Sequence, residues 1–533
     1  MSNEDRVASE KQLIEEAHAR GRGATLKAYA RLSGPGWLQS AITLGGGSLA
    51  SALYLGVLAG YGLLWVQPVA MLLGIIMLSA ISYVTLSTGK RPFRAICEHV
   101  NPVLGWGWIL AVLLANLVWS LPQFSLGTAA ITQNLLGGGG GEGAKIASSI
   151  GLLVVAAAVI WAYDSGARGL RLFELLLKGM VALVVVCFFG VVVALSINGK
   201  LAWGEILRGF NLDLSLIFEP APVFMPFLEA AGSAREWWTS YIVGQQRDVM
   251  IAAAATAVGI NMTFLLPYSM LRKGWGKSFR GLATFDLSTG LLIPFFLATG
   301  CVVIAASSQF HGKIDQRLIA GEEAAPPRLV KAYEGTLAKR NNAVDAPVAA
   351  ADRSLAAMLV KRDAFDLAGA LEPLTGKGVA RVVFGVGVLG MALSTIIILM
   401  LISGFTFCEI FNRPATGTFH RMGCLAAGVG VLGPFVWKGD AAFWLAVPTS
   451  VFGMVLLPVA YWTFILMMNN RSLLGDEMPR GRARVASNVA MLLAAVIVTP
   501  ASLYIAYAKA GYFGLGGIAA FVALAVIVGM RRR

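Results

Sequence analysis

Leu44-Gly45-Gly46-Gly47-Ser48 lies midway along an apolar run, residues 33–60, that is otherwise long enough to cross a bilayer as one helix. Glycine resists the helical state more than any ordinary residue except proline, so three in succession at mid-depth predict a break. In hydrocarbon, non-helical backbone persists only where protein encloses it or where it lines a wet cavity, which makes the break a candidate binding site. Small residues also let membrane helices pack closely, and this chain uses glycine freely at Gly60, Gly62, Gly105 and Gly107. A second break at a corresponding place further along would favour the site over mere packing.

Around that stretch, the 533 residues are 57% hydrophobic and 14% charged, with a mean hydropathy of +0.71, the composition of a polytopic membrane protein. About twelve apolar stretches approach the ~20 residues that span a hydrocarbon core. They fall near 33–60, 62–88, 103–135, 146–163, 172–196, 249–271, 285–308, 380–411, 421–437, 441–468, 485–508 and 511–530. Residues 1–31 are polar and mixed in charge, lack the apolar core of a secretory signal, and read as a cytoplasmic tail. The net charge of +14 sits beside the spans and not on a soluble domain, so no nucleic-acid partner is implied. Alternate loops carry Lys90, Arg91 and Arg94; Arg168 and Arg171; Arg272, Lys273, Lys277 and Arg280; Arg413 and Arg421; and Arg471, Arg480, Arg482 and Arg484. With an even number of spans, that bias puts both termini in the cytoplasm, in the inner membrane if the source is a bacterium.

The organisation expected is a tail, 1–31; five spans, 32–197; an outer connection, 198–248, whose Pro220, Pro222 and Pro226 break it too often for a span; five more spans, 249–470, with an outer insert, 309–377; and two last spans, 471–533. Residues 354–371 of the insert are amphipathic and predict a helix on the membrane or over the entrance. Glu174 and Lys178, at i and i+4, suit an ion pair. The second break is expected at Pro267, because proline removes a helix donor and clashes with the preceding turn. Asn261, Thr263, Leu266, Tyr268 and Ser269 surround it, the third span adds an inward polar row of Asn116, Trp119, Ser120, Pro122 and Gln123, and the eighth offers Ser394 and Thr395. The five cysteines form no CxxC, and the four histidines fall in the tail or loops, leaving no imidazole at membrane depth. No paired carboxylates, Ser–His couple or ligand cluster shares a depth, so neither an enzyme nor a cofactor is implied.

Broken helices in the first and sixth spans point to an inverted-repeat transporter. Gly34-Pro35-Gly36-Trp37-Leu38, the glycine break and Gly60-Tyr61-Gly62-Leu63-Leu64-Trp65 resemble the first hairpin of the NRAMP family of proton-coupled divalent-metal transporters. Gly127-Thr128-Ala129, Leu266-Pro267-Tyr268-Ser269, Phe407-Cys408-Glu409-Ile410-Phe411 and Pro458-Val459-Ala460 continue the resemblance over most of the membrane region. It implies an all-α membrane protein of LeuT-type fold, with two inverted five-helix repeats, two C-terminal helices and breaks in the first and sixth helices. It implies a substrate site at Gly45, Gly46, Gly47, Ser48, Asn261, Thr263, Leu266, Tyr268, Ser269 and Ser450. The family's metal-binding Asp and Asn fall on Gly45 and Ser48, its Met-Pro-His on Leu266-Pro267-Tyr268, and its tenth-span glutamine on Ser450. The third-span acidic residues associated with proton passage have no counterpart between Ile109 and Asn134.

No residue is therefore assigned as a metal ligand. A bare transition metal needs anionic or soft ligands that glycine backbone, Ser, Thr and Tyr do not supply. A partly hydrated cation such as Mg²⁺ remains open, since Mg²⁺ keeps its water and tolerates neutral oxygens. So does a small organic carboxylate or amino acid held by the N–H groups of Gly46, Gly47 and Ser48. A sensor that kept the fold and lost transport is the third reading. The partners expected are a small solute or ion, the lipid bilayer and a coupling ion.

Overall fold

Two short helices, α1 (Asn3–Arg20) and α2 (Arg22–Leu32), fold the polar N-terminal stretch onto the membrane region. Ile14 and Ala17 are buried, and buried Arg6 donates to the carbonyl of Lys273 at 3.1 Å. The computed structural model describes residues 3–137, 141–320, 325–436 and 446–532. The first span is two helices, α3 (Pro35–Thr43) and α4 (Gly46–Ala59), bent by 57°. Gly34-Pro35-Gly36 starts α3 because Asp286, from the seventh span, brings a carboxylate to its positive end. That carboxylate accepts from the N–H of Gly34 at 3.2 Å, the N–H of Gly36 at 2.6 Å and the Ser33 hydroxyl. A Cβ at Gly36 would lie 2.2 Å from the Asp286 carbonyl oxygen, so only glycine fits. After α4 the chain reverses at Gly60, whose φ of +60° favours glycine.

The first repeat continues through α5 (Val66–Thr88), α6 (Pro102–Ala129), α7 (Gly141–Tyr163) and α8 (Ala167–Ile197). Glu174 and Lys178 on α8 do not pair with each other. Glu174 meets Lys273 at 3.0 Å and Lys178 donates to the carbonyl of Ser33 at 2.6 Å, because α3 and the end of the sixth span pack closer than the next turn of α8.

The sixth span departs from expectation in two ways. It begins at Arg235 and not near 249: α9 (Arg235–Ala257) takes in the end of the stretch expected to be a connection. The three prolines lie upstream, and the polar residues that made 235–248 look unlike a span are satisfied by the segment that wraps them. Gln246 accepts from the N–H of Ala221 at 2.9 Å and donates to the carbonyl of Leu216 at 2.7 Å, while Arg247 donates to that of Ile217 at 2.6 Å. The break also falls at Val258-Gly259 and not at Pro267, which lies inside α10 (Ile260–Lys273). A proline removes one donor, a loss a packed membrane helix absorbs, whereas Val258 and Gly259 are extended.

Beyond lies α11 (Ile293–Phe310), then an insert with α12 (Pro327–Ala343), α13 (Ala350–Met358) and α14 (Ala364–Thr375). The amphipathic helix expected over 354–371 is split because Asp363 caps α14, accepting from the N–H groups of Phe365 and Asp366 at 2.8 Å. The insert covers one end of the bundle: Lys361 lies over the Tyr54 ring of α4, Arg362 over Phe310 of α11, and Trp238 of α9 donates to Asp352 of α13 at 2.6 Å. The chain ends with α15 (Lys377–Ile410), α16 (Gly417–Leu425) and its 3₁₀ continuation, α17 (Ala446–Met468) and α18 (Gly481–Met530). At 50 residues, α18 is too long for one crossing, and it folds back at Gly511 (φ 57°, ψ −145°). Lys509 pairs with Asp248 near the insert, while Arg484 and Arg532 return to Asn469 and Cys97 at the opposite, arginine-rich face. Among the described residues, nine helical stretches and two bent pairs are apolar and long enough to cross, and the turn in α18 adds one more.

Candidate functional site

A broken helix leaves carbonyls without partners at the end of its first half and N–H groups at the start of its second. At the first break the carbonyls are met by hydroxyls. Ala41 accepts from Ser394 at 3.0 Å and Thr395 at 3.3 Å, both on α15, and Thr43 accepts from Ser48. At the second, the Thr43 hydroxyl lies 2.8 Å from the carbonyl of Thr256 and 2.7 Å from that of Ala257, the last residues of α9. One proton is shared between two acceptors. The C-terminal ends of α3 and α9, each carrying partial negative charge, thus face each other across one threonine.

Gly45 and Gly46 are favoured by close approach and not by backbone angle. A Cβ at Gly45 would lie 2.7 Å from Thr395 Oγ1, and one at Gly46 would lie 2.8 Å from Leu126 Cδ2 on α6. The N–H of Gly46 is already committed, donating to Gln123 Oε1 at 3.0 Å. At the second break a Cβ on Gly259 would lie 2.5 Å from the Trp119 ring, which also approaches Gly453 of α17. Asn261 donates to Asn116 of α6 at 3.2 Å, and Thr263 accepts from Trp108 at 2.9 Å.

Of the residues expected to form the site, Gly45, Gly46, Gly47 and Ser48 lie at the junction. Asn261 and Thr263 lie on the first turn of α10, against α6. Leu266 is buried further along, and Ser269 spends its hydroxyl on the Leu266 carbonyl at 2.8 Å. Tyr268 is not at the break. It stands nine residues beyond Gly259, about 13 Å along the helix, stacked on Phe264 with ring centroids 4.1 Å apart and neighbouring Phe405. Placing the break at Pro267 had put both Tyr268 and Ser269 too close to the junction. Ser450 belongs to α17, and its side chain lies outside the described residues.

Thr43, Thr256 and Ala257 were not expected at the site. Gln123, Ser394 and Thr395 were noted as interior polar groups without a defined partner. Thr43 directly precedes the break and was legible as a cap; Thr256 and Ala257 carried no signal, because their contribution is backbone. His420 is buried in α16 and its Nδ1 meets Asp164 at 3.0 Å, on the arginine-rich face. Among the described residues no group of three His, Cys, Asp or Glu side chains converges as a metal site. Thr43, Gly45, Gly46, Ser48 and Ala257 are buried and Gly47 and Thr256 partly exposed, so the junction is largely enclosed in this closed conformation.

Two discontinuous helices crossing at mid-depth, each in corresponding positions of two repeats, define an integral membrane transporter of LeuT-type fold. A family model described as natural resistance-associated macrophage protein-like matches residues 36–326 and 346–508, and the chain belongs to this Nramp family. It is 24% identical over 485 residues to divalent metal cation transporter MntH 1 of Pseudomonas aeruginosa, covering 89% of this chain and 92% of that one. It is 30% identical over 159 residues to metal transporter Nramp6.2 of Populus trichocarpa, covering 30% of this chain and 27% of the relative. In fold it is similar to the Eremococcus coleocola manganese transporter in complex with an aromatic bis-isothiourea substituted compound, with a TM-score of 0.64, 15% identity and 95% of each chain covered.

Proposed function

We propose that this Nramp-family transporter carries a divalent cation that keeps part of its water, Mg²⁺ in preference to Mn²⁺, by alternating access through the paired breaks. The observation that carries this reading is the convergence of two helix C-termini on the Thr43 hydroxyl. Partial negative charge from two directions suits a cation, and the acceptors are neutral carbonyl and hydroxyl oxygens. Mg²⁺ gives up water reluctantly and tolerates outer-shell contact with such oxygens, whereas Mn²⁺ gains most from carboxylate and soft donors. The relatives named as divalent metal cation and manganese transporters support a metal ion as the class of cargo. The carboxylate reading is weaker, because the Gly46 N–H it needs is engaged by Gln123. The arginine-rich face is assigned to the cytoplasm, with both termini, and the insert to the outside, on the bias of Lys and Arg among the loops.

Proteoliposome uptake of Mg²⁺, Mn²⁺ and a panel of amino acids, with and without a pH gradient, tests the proposal. Mg²⁺ uptake that micromolar Mn²⁺ and Cd²⁺ do not compete is expected. Tight Mn²⁺ binding by calorimetry, or uptake confined to an amino acid, overturns it.

A further inference from the structure

We propose that Glu409 and the Tyr268 hydroxyl form a second cation subsite between the helix breaks and the arginine-rich face, and that Arg91 and Arg94 fill it in the closed state. The inference rests on the cation reading above and extends it along the exit route.

Three buried carboxylates stand at that face, and they are not alike. Asp286 is taken up by the N–H groups of Gly34 and Gly36 and the Ser33 hydroxyl. Asp164 is held by Arg272 at 3.2 Å and His420 at 3.0 Å. Glu409, on the last turn of α15, is held loosely, with Arg91 at 3.4 Å and Arg94 at 3.6 Å, well beyond the ~2.8 Å of a good charge-assisted hydrogen bond. Its side chain is 2% exposed while those of the two arginines are 44% and 41% exposed. The carboxylate belongs to the protein interior and the arginines reach it from water.

Tyr268 Oη, on an almost wholly buried side chain, stands within reach of the Glu409 carboxylate, and neither it nor Glu409 Oε1 makes a hydrogen bond of good geometry among the described residues. A buried carboxylate held only loosely, with a phenolic oxygen beside it, offers a cation two oxygen ligands. The location fits passage. α10 runs from Gly259 at the break, past Phe264, to Tyr268, whose ring stacks on Phe264 and neighbours Phe405. A cation released from the break along α10 therefore meets the Tyr268 hydroxyl and then the carboxylate. The arginines cannot shed their charge, so they serve as built-in stand-ins that must swing out for the cargo to occupy the site.

The experiment compares Glu409→Gln, Glu409→Asp and the double variant Arg91→Ala/Arg94→Ala, each first checked as monodisperse by size exclusion. Mn²⁺ binding in detergent, followed by electron paramagnetic resonance, serves as the probe, with Mg²⁺ uptake measured in parallel. A subsite predicts opposite effects. Removing the arginines frees the carboxylate and tightens Mn²⁺ binding about tenfold over wild type, and adding Glu409→Gln to that double variant abolishes the gain, whereas adding Glu409→Asp keeps most of it. Glu409→Gln alone slows Mg²⁺ uptake about tenfold. If Glu409 only locks the face shut, both changes loosen it alike and no Mn²⁺ binding depends on Glu409, which refutes the subsite. A wild type that carries no divalent cation sinks the cation reading, while the Mn²⁺ measurement still decides the subsite.

Discussion

The break between α3 and α4 is stitched to α6, α9 and α15, whereas the break between α9 and α10 is held by Thr43 of α3, by its own next turn, and by Asn116 and two indoles of α6. In the first, hydroxyls of Ser394 and Thr395 on α15, the Gln123 amide on α6 and the contact of Thr43 with α9 occupy the exposed backbone groups. In the second, the N–H of Met262 is taken by Asn261 next to it, and the Trp119 ring fills the space where Gly259 has no side chain. The contrast separates two jobs. The first break is a polar junction whose partners must part or exchange if anything is to bind there. The second is a joint at Gly259, packed on Trp119, whose carbonyls are presented to Thr43.

Substitutions can break or sharpen that contrast. The largest effect is expected of Gly46→Val, because its Cβ would lie 2.8 Å from Leu126 and 3.3 Å from Gln123. Uptake should fall to background while the protein remains folded, with overpacking costing ~1–3 kcal/mol. Full uptake in the purified variant would mean that the first break is not the site. Thr43→Val comes next: it leaves the carbonyls of Thr256 and Ala257 without their shared donor, so thermal unfolding should register a loss of ~1–3 kcal/mol, with uptake reduced about tenfold. A variant with unchanged melting and uptake would uncouple the two breaks.

Pro267→Ala should matter least among the substitutions. The helix already continues through this position, so uptake within about twofold of wild type is expected, and a proline in a helix interior is if anything a local cost. Abolished uptake would return Pro267 to the mechanism and count against the hinge at Gly259. The smallest effect concerns acid at the insert. Arg317 and Arg362 beside Asp315 hold its carboxyl at about 2, well below the ordinary range. The folded value lies below the unfolded one, so the stabilisation is complete above ~4 and is lost only as pH falls through about 2. Hydrogen exchange around residues 315–319, corrected for intrinsic rate, should therefore be the same at pH 7.5 and pH 5. Faster exchange at pH 5 would detach the insert from this pin.

The first break was legible because three successive glycines at mid-span resist the helix, while the close approach of Thr395 and Leu126 that two of them permit was not. The second break was misplaced by eight residues. Pro267 is the louder signal in one dimension, but a packed membrane helix tolerates it, and the chain instead opens where Gly259 meets the Trp119 ring from a different span. The start of α9 was missed for a related reason: Gln246 and Arg247 look exposed in sequence and are satisfied by the loop of residues 216–221.

By itself, then, the sequence determined that the chain spans a membrane, that its first span is broken, and that its architecture is that of the Nramp family. Only the tertiary structure decided which carbonyls meet, that Gln123 takes the Gly46 N–H, and that Tyr268 belongs with Glu409 and not with the break. The physical reason is that composition and glycine runs act within a few residues of themselves. The partners of an orphaned backbone group are instead chosen by whichever helix packs against it, here from positions scattered between Thr43 and Thr395.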